Sequence, residues 1–175
     1  MFATAHDLEV RLRRPVNTAA AEALIEEATS LIREAAGQTI TVVEEHEVTL
    51  QGNFTRRLEL PEWPVTNVSY VDVGGVELTE GTDFTWQRRG VLWRPCVGLH
   101  WGGPDADVDV LYSHGRALPA WVRGMCLDIC ARSYSAPDGA VREAIDGYSV
   151  TYQAAGGMNL LDVEERKLRR LRKPA

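Results

Sequence analysis

The sequence predicts an α+β fold, a helical body of about four helices with an antiparallel β-rich insertion between the second and third. Three observations lead there. Residues 18–36 place Leu24, Ala28, Leu31, Ile32 and Ala35 at helical spacing in an Ala- and Glu-rich background, which is the composition and period of an amphipathic helix. From Thr39 the period changes: β-branched residues dominate TITVVEEHEVTL, and alternating segments separated by Gly-containing turns continue to YSHG at 112–115, the pattern of antiparallel strands. Beyond Pro119 helical spacing returns in PAWVRGMCLDICARSYS and again in LLDVEERKLRRLR, so helices bracket the strands.

The first helix starts at Thr4, which with Asp7 three residues on makes a capping box. Leu8 and Leu12 share one face, and Pro15 stops the helix. Thr18 is the expected N-cap of the second helix, Ala19 to Ala36 its interior and Gly37 its terminator. After TITVVEEHEVTL a turn at Gly52-Asn53 leads into FTRRLEL, and Pro61 and Pro64 bracket a corner. Val65 to Val73 then alternate up to Gly74-Gly75, and Val76 to Leu78 resume the alternation, which is the signal of a tight hairpin. A turn at Glu80-Gly81 precedes DFTWQRRGVLW, where Arg88-Arg89-Gly90 joins two short strands, and DVDVLYSHG closes the series. The expectation is an antiparallel meander of roughly five to seven strands.

Pro119 suits the first turn of the third helix, whose apolar face is Val122, Met125, Cys126, Ile129 and Cys130. Ser135 to Gly139 break it, REAIDGYSVTYQ reads as a strand and AAGG as a flexible link. The last helix is expected to be capped by Asp162 with Glu165, its acids N-terminal and its bases C-terminal as the helix dipole favours. The organisation expected is residues 1–38 as N-terminal helices, 39–115 as the β-rich insertion, 116–161 as the third helix with the following strand or loop, and 162–175 as a C-terminal docking helix, all in one integrated domain.

A chain of 175 residues can build one domain with a real core. Its 45% hydrophobic and 25% charged residues place it among folded rather than disordered chains. The longest apolar runs are too short to cross a bilayer and Met1 precedes a polar helix start, so a cytosolic product without membrane association is expected. Cys96, Cys126 and Cys130 are odd in number and lack the spacing of a disulfide framework. A formal charge of −6 disfavours nucleic-acid affinity as a global property. Its distribution is uneven, with seven glutamates against the single Arg33 between Glu22 and Glu47, and six basic residues without an acid from Arg166 to Lys173. Such polarity suits docking to an unlike partner or to another copy; a solvated helix face is the commoner explanation of either run.

Candidate chemistry is sparse. Cys126 and Cys130, four apart on a helix, could share a metal with His100 or His114, but structural zinc usually draws cysteines from a tight knuckle, and both thiols coincide with the apolar face, where a free cysteine behaves as a small hydrophobe. His114 beside Ser113 and Asp109 suggests a nucleophilic triad only superficially, because strand neighbours point to opposite faces and no nucleophile elbow is present. Gly102-Gly103-Pro104 and Gly156-Gly157 lack the lysine and helix start of a phosphate loop and read as turns. No catalytic, cofactor or metal site is assigned, and an enzyme is not expected. The basic tail could pair with nucleic-acid phosphates; Leu160, Leu161, Leu168 and Leu171 give it an apolar stripe that fits a groove on a partner protein, the preferred reading. Of Trp63, Trp86, Trp93, Trp101 and Trp121, most are expected in the core or on sheet faces, with about two partly exposed as interface anchors.

Taken in order, ATAHDLEVRL, a second helix ending AAGQ, LPEWPVTNV, the V-x-V-x-G-V-x-L hairpin, D-F-x-W, Y-S-H-G before P-A-W-V, and a late G-Y-S-V-T-Y followed by L-x-x-x-E-R resemble head-to-tail adaptor (connector) proteins of long-tailed bacteriophages over nearly the whole chain. Each motif is weak alone; their order and spacing carry the resemblance. It implies a non-enzymatic homo-oligomeric ring, usually of twelve copies, located in the virion neck at the capsid vertex and assembled in the host cytoplasm. The ring would lie under the portal protein, meet a stopper or tail-completion protein, and pass packaged DNA through its lumen without sequence recognition. The resemblance also implies that the C-terminal segment binds the portal, which maps onto Leu168 and Leu171 as apolar anchors and Arg166, Arg169, Arg170 and Arg172 as charge partners. The segment around Asp146, Gly147, Tyr148 and Tyr152 is expected to face the channel or the next ring, with Gly147 giving backbone freedom and the tyrosines rigid contact area. A net acidic subunit would let a duplex slide. The competing readings are a stopper or tail-completion protein of the same virion and, more distantly, a small nucleic-acid-binding regulator using the basic tail.

Overall fold

The computed structural model describes residues 1–96, 98–135, 142–145, 148–151 and 158–173. The chain divides into a helical unit, Met1–Gly37 with Leu118–Arg172, and a β unit, Gln38–Ala117 with the C-terminal residues from Lys173. The α+β class is as the sequence predicts.

In the helical unit, α1 (Ala5–Leu12) begins with the expected capping box: Asp7 N donates to Thr4 Oγ1 at 3.2 Å and Thr4 N donates to Asp7 Oδ2 at 2.9 Å. Helix α2 (Thr18–Ala36) is capped one residue earlier than expected, by Asn17, whose Oδ1 accepts from Ala20 N at 3.0 Å. It ends at Gly37 in the left-handed conformation. Its buried face is Ala21, Ile25, Ala28, Thr29, Ile32 and Ala36, so the predicted stripe is rotated and Leu24, Leu31 and Ala35 fall on its half-buried margin. Alanines add little to a hydrophobic pattern, yet they let helices approach closely and here define the seam.

Helix α3 (Ala120–Ser135) buries Val122, Met125, Cys126, Ile129 and Cys130, the face read from the sequence. Arg11 pairs with Asp128, and Arg123 with Asp7, tying α1 to α3. Strands β8 (Arg142–Ile145) and β9 (Tyr148–Thr151) pair antiparallel with Ile145 opposite Tyr148, where the sequence suggested one strand. Helix α4 (Asp162–Leu168) runs into a 3-10 turn, Arg169–Leu171. Its N-cap is Leu161, whose N–H donates to Glu164 at 2.8 Å, rather than Asp162 with Glu165. The carboxylate of Glu164 accepts from the two terminal guanidinium nitrogens of Arg132 at 2.9 and 3.0 Å, which sets the helix start.

The β unit contains β1 (Val43–Gln51), β2 (Arg57–Glu59), β3 (Val65–Val73), β4 (Val76–Glu77), β5 (Thr85–Gln87), β6 (Val91–Trp93) and β7 (Asp107–His114). They form two sheets, ordered β1-β7-β3-β4 and β2-β6-β5. This corrects the meander. The last strand inserts between the first and third, and β1 and β2 lie in different sheets, because alternation reveals a strand's two faces but not its neighbours. The predicted hairpin is present, with Val73 opposite Val76 and Gly74 and Gly75 at φ of 60° and 85°, the left-handed pair a two-residue turn requires. The Arg88-Arg89-Gly90 turn likewise joins β5 to β6.

Strand β1 starts later than its β-branched lead-in implies: Ile40 and Glu45 have positive φ, and a register shift separates Val43 from His46. Thr41 instead bridges Arg116. Beside it Gly115, at φ 93°, packs so closely on the Thr41 carbonyl that a side chain has no room. The core between the sheets comprises Leu58, Leu60, Val65, Val68, Val71, Phe84, Leu92, Trp101, Val108, Val110 and Tyr112. No described helix is long and apolar enough to cross a membrane.

Candidate docking surfaces

The C-terminal segment carries the most concentrated charge. Leu168 and Leu171, expected as anchors for a partner, are buried within the helical unit itself, at 0% and 7% exposure. The apolar side of the segment is thereby used by the subunit's own fold. Arg172 donates twice to the Ala35 carbonyl, at 3.1 and 3.2 Å, closing the C-terminal end of α2 with a cation as the helix dipole favours. What α4 and the 3-10 turn after it present outward is Asp162, Val163, Glu165, Arg166, Lys167, Arg169 and Arg170. Arg169 reaches Glu165 at 3.4 Å and Arg166 donates to the Asp162 carbonyl at 3.2 Å, both exposed contacts worth little individually. Next to the segment, Leu12, Asp128, Ala131, Arg132 and Leu161 line a shallow open groove of about 620 Å³.

Of the second predicted surface, Tyr148 opens β9. Asp146, Gly147 and Tyr152 lie outside the described residues.

A third surface was not singled out from the sequence. On the outward face of the small sheet, Arg57, Trp93 and Thr85 stand in register across β2, β6 and β5. Trp93 is 39% exposed and Arg56 stacks over its ring at 4.9 Å. Glu59 on the same face accepts from Arg57 at 2.7 Å and Lys173 at 3.0 Å. The hydrogen bond from Lys173, with the nearby positive charges of Lys173, Arg57 and Arg89, holds the Glu59 carboxyl below its usual range. Lys173 also donates to the carbonyls of Leu60 and Gly90, at 2.8 and 3.3 Å. Trp93 and Trp121 are the two exposed tryptophans; Trp101 is fully buried, its indole donating to the Arg56 carbonyl, while Trp63 and Trp86 are half-buried. The signal that could have found the surface is the alternation Arg57-Leu58-Glu59 opposite Val91-Leu92-Trp93, which is readable only once the pairing of these strands is known.

The residues weighed for chemistry are placed apart. Ser113 Oγ accepts from Glu45 N at 3.2 Å and Asp109 accepts from Thr49 Oγ1 at 2.6 Å, whereas His114 is 1% exposed with Nε2 2.9 Å from His46 Nδ1. Burial chiefly lowers the His114 pKa, the charge of Glu62 opposes this, and His46 lowers it further. Burial pushes the Tyr112 phenol, beside both imidazoles, up to about 12. Cys126 and Cys130 are buried free thiols; the hydrogen bond between them and burial drive Cys130 up, while Cys130 donates to the Leu24 carbonyl at 3.5 Å. Among the described residues no group of three or more His, Cys, Asp and Glu side chains could hold a metal ion.

No family model matches the chain, and no curated protein matches it. Two solved structures share its fold. One is a chain from the neck of an empty gene transfer agent (GTA) particle computed with C6 symmetry, at TM-score 0.59 and 16% identity, covering 99% of this chain and 90% of that one. The other comes from the virion of a native gene transfer agent particle, at TM-score 0.55 and 15% identity, covering 91% of this chain and 80% of that one.

Proposed function

We propose that this chain is a structural subunit of a virion neck, a head-to-tail adaptor that forms a ring between the portal and the next neck or tail component and continues the DNA conduit. The observation that carries this is the end-to-end correspondence of its fold with a chain of a gene transfer agent neck. A fold shared over whole chains, including both the helical and the β unit, is a stronger warrant than one shared over a common module, though function still has to be argued from surfaces. The surfaces suit the role. An acidic α2, a basic C-terminal end of the α4 segment from Arg166 onward and a cationic sheet face bearing Trp93 are unlike one another, and unlike faces are what heterologous, ring-closing contacts require.

In this reading the tail docks to the portal through charge. With Leu168 and Leu171 held in the subunit's own core, the docking residues are Arg166, Arg169 and Arg170, with Arg172 held on α2, and the exposed Val163 and Leu161 supply the apolar contact. The test is deletion of the gene in a particle-producing strain. Full heads and separate tails should accumulate, and complementation with Arg166, Arg169 and Arg170 all changed to Glu should restore a folded product that no longer co-purifies with the portal. Joined particles lacking the product would refute the reading.

A further inference from the structure

We infer that the small β2-β6-β5 sheet face is a docking site for helix α2 of a second copy of this chain, an assignment that rests on the ring reading above. The sheet face carries Arg56, Arg57, Arg89 and Lys173 around the single carboxylate of Glu59, so it remains cationic after its internal pairs are made. Trp93 stands at its centre, exposed, with Arg57 in register on one side and Thr85 on the other. A tryptophan flanked by arginines is the residue combination that anchors protein interfaces.

The complementary surface is on the same chain. Glu22, Glu26, Glu27 and Glu34 of α2 are all exposed, and none has an ion-pair partner among the described residues. Glu22, Glu26 and Ser30 succeed one another by single turns, with Glu27 and Glu34 alongside, so the charge forms a stripe on a helix of about 28 Å. Small exposed residues flank these glutamates, Ala19 and Ala20 before them and Ala23 and Ser30 between them. They leave a low surface over which a tryptophan ring and arginine stems can lie flat. The inward face of α2 is occupied by its own unit, so the acidic stripe is what the helix offers outward. Two unlike, oppositely charged faces on one chain suit a head-to-tail contact, which makes a ring where its rotation closes and a filament where it does not.

Two measurements test this. In purified chain, sedimentation at low salt should show self-association that weakens about tenfold on Arg57→Glu with Arg89→Glu, and equally on Glu22→Arg with Glu26→Arg. A chain carrying all four changes should recover most of the loss, because the charges are exchanged rather than removed. Trp93→Ala should weaken association without compensation. In particles, a Cys96→Ser chain carrying Glu26→Cys and Arg89→Cys should give an oxidised ladder of dimers and higher multimers, and neither single cysteine should. Swaps without effect, a four-change chain no better than either pair, or particles that contain the chain yet give no ladder would overturn the contact while leaving the neck reading intact. Particles without the chain would overturn the neck reading, and sedimentation would then decide the contact alone. If Arg57→Glu and Arg89→Glu abolish binding to duplex DNA but not self-association, the sheet face serves phosphates instead, and the inference fails.

Discussion

Burying His114 at the end of β7 leaves one ring nitrogen 2.9 Å from His46 Nδ1 and the other without a partner. The groups facing it are His46, the Tyr112 phenol and the Glu62 carboxylate. Burial is the strongest of these influences and depresses the pKa, so the folded protein holds this imidazole neutral at pH values where the unfolded chain would protonate it. Stability from this source is present above the unfolded value near 6.5 and is lost as pH falls from there toward the folded value. The urea midpoint of the wild type should therefore drop between pH 7.5 and 5.5, and His114→Gln should flatten that slope; a slope that survives the substitution would place the titration elsewhere. Asp7 behaves the same way at lower pH. The hydrogen bond from Arg123 holds its carboxyl at about 2, with the Thr4 cap assisting, so its contribution is full above about 4 and fades toward pH 2. Arg123→Ala should lower the urea midpoint at neutral pH and progressively less across that window, read from the same denaturation series. The Thr4 and Asp7 cap was legible in the sequence because three-residue spacing is local; the His46 and His114 pair was not, because residues 68 positions apart meet only through strand register.

At the level of elements, α4 shows how one apolar pattern can serve two purposes. Its leucines read equally well as a partner's anchor and as the subunit's own core, since periodicity reports a buried face without saying whose interior buries it. The structure assigns Leu168 and Leu171 inward and leaves the cations outside. Packing and docking should therefore separate by mutation. Leu168→Ala should destabilise the helical unit by about 2–4 kcal/mol, whereas Arg170→Glu should leave thermal unfolding within about 0.5 kcal/mol of wild type and, on the adaptor proposal, weaken capture of the portal protein. Equal stability losses from the two would mean that Arg170 is structural. The same logic explains which elements the sequence disclosed. The β3-β4 hairpin, the α3 face and the helix terminators are set by residues within one or two turns of each other, and they were readable. Strand order was not, because the placement of β7 between β1 and β3 depends on closing loops of tens of residues, for which local patterning carries no signal. The cationic sheet face was hidden for that reason too: Arg57 and Trp93 become neighbours only through the β2-β6 pairing.

For the molecule as a whole, the arrangement is that of a β unit inserted into a helical one. The chain enters the β unit after Gly37 and leaves it before Leu118, and within the β unit its first and last segments are adjacent, since Arg116 N donates to the Ile40 carbonyl at 3.0 Å and Thr41 bridges Arg116. An insertion whose ends are adjacent imposes little constraint on its host, and each unit here has its own buried residues: the two-sheet cluster around Trp101 and Tyr112 in one, and Leu8, Ile25, Ile32, Ile129 and Leu168 in the other. Residues 38–117 expressed alone should therefore unfold cooperatively in urea with near-ultraviolet signal from the buried Trp101, and a chain in which 41–116 are replaced by a short Gly-Ser linker should retain helical circular dichroism and a single transition. The close approach at Gly115 locates the weak point of the excised piece. With φ at 93° and the Thr41 carbonyl where a Cβ would stand, Gly115→Ala should cost on the order of 2–3 kcal/mol and should lower the midpoint of the 38–117 fragment while leaving the linker-bridged helical chain, which lacks that residue, unaffected. A fragment that stays unstructured would mean that the β unit does not fold by itself, and one indifferent to Gly115→Ala would mean that the close approach of Gly115 to Thr41 is not part of what holds it.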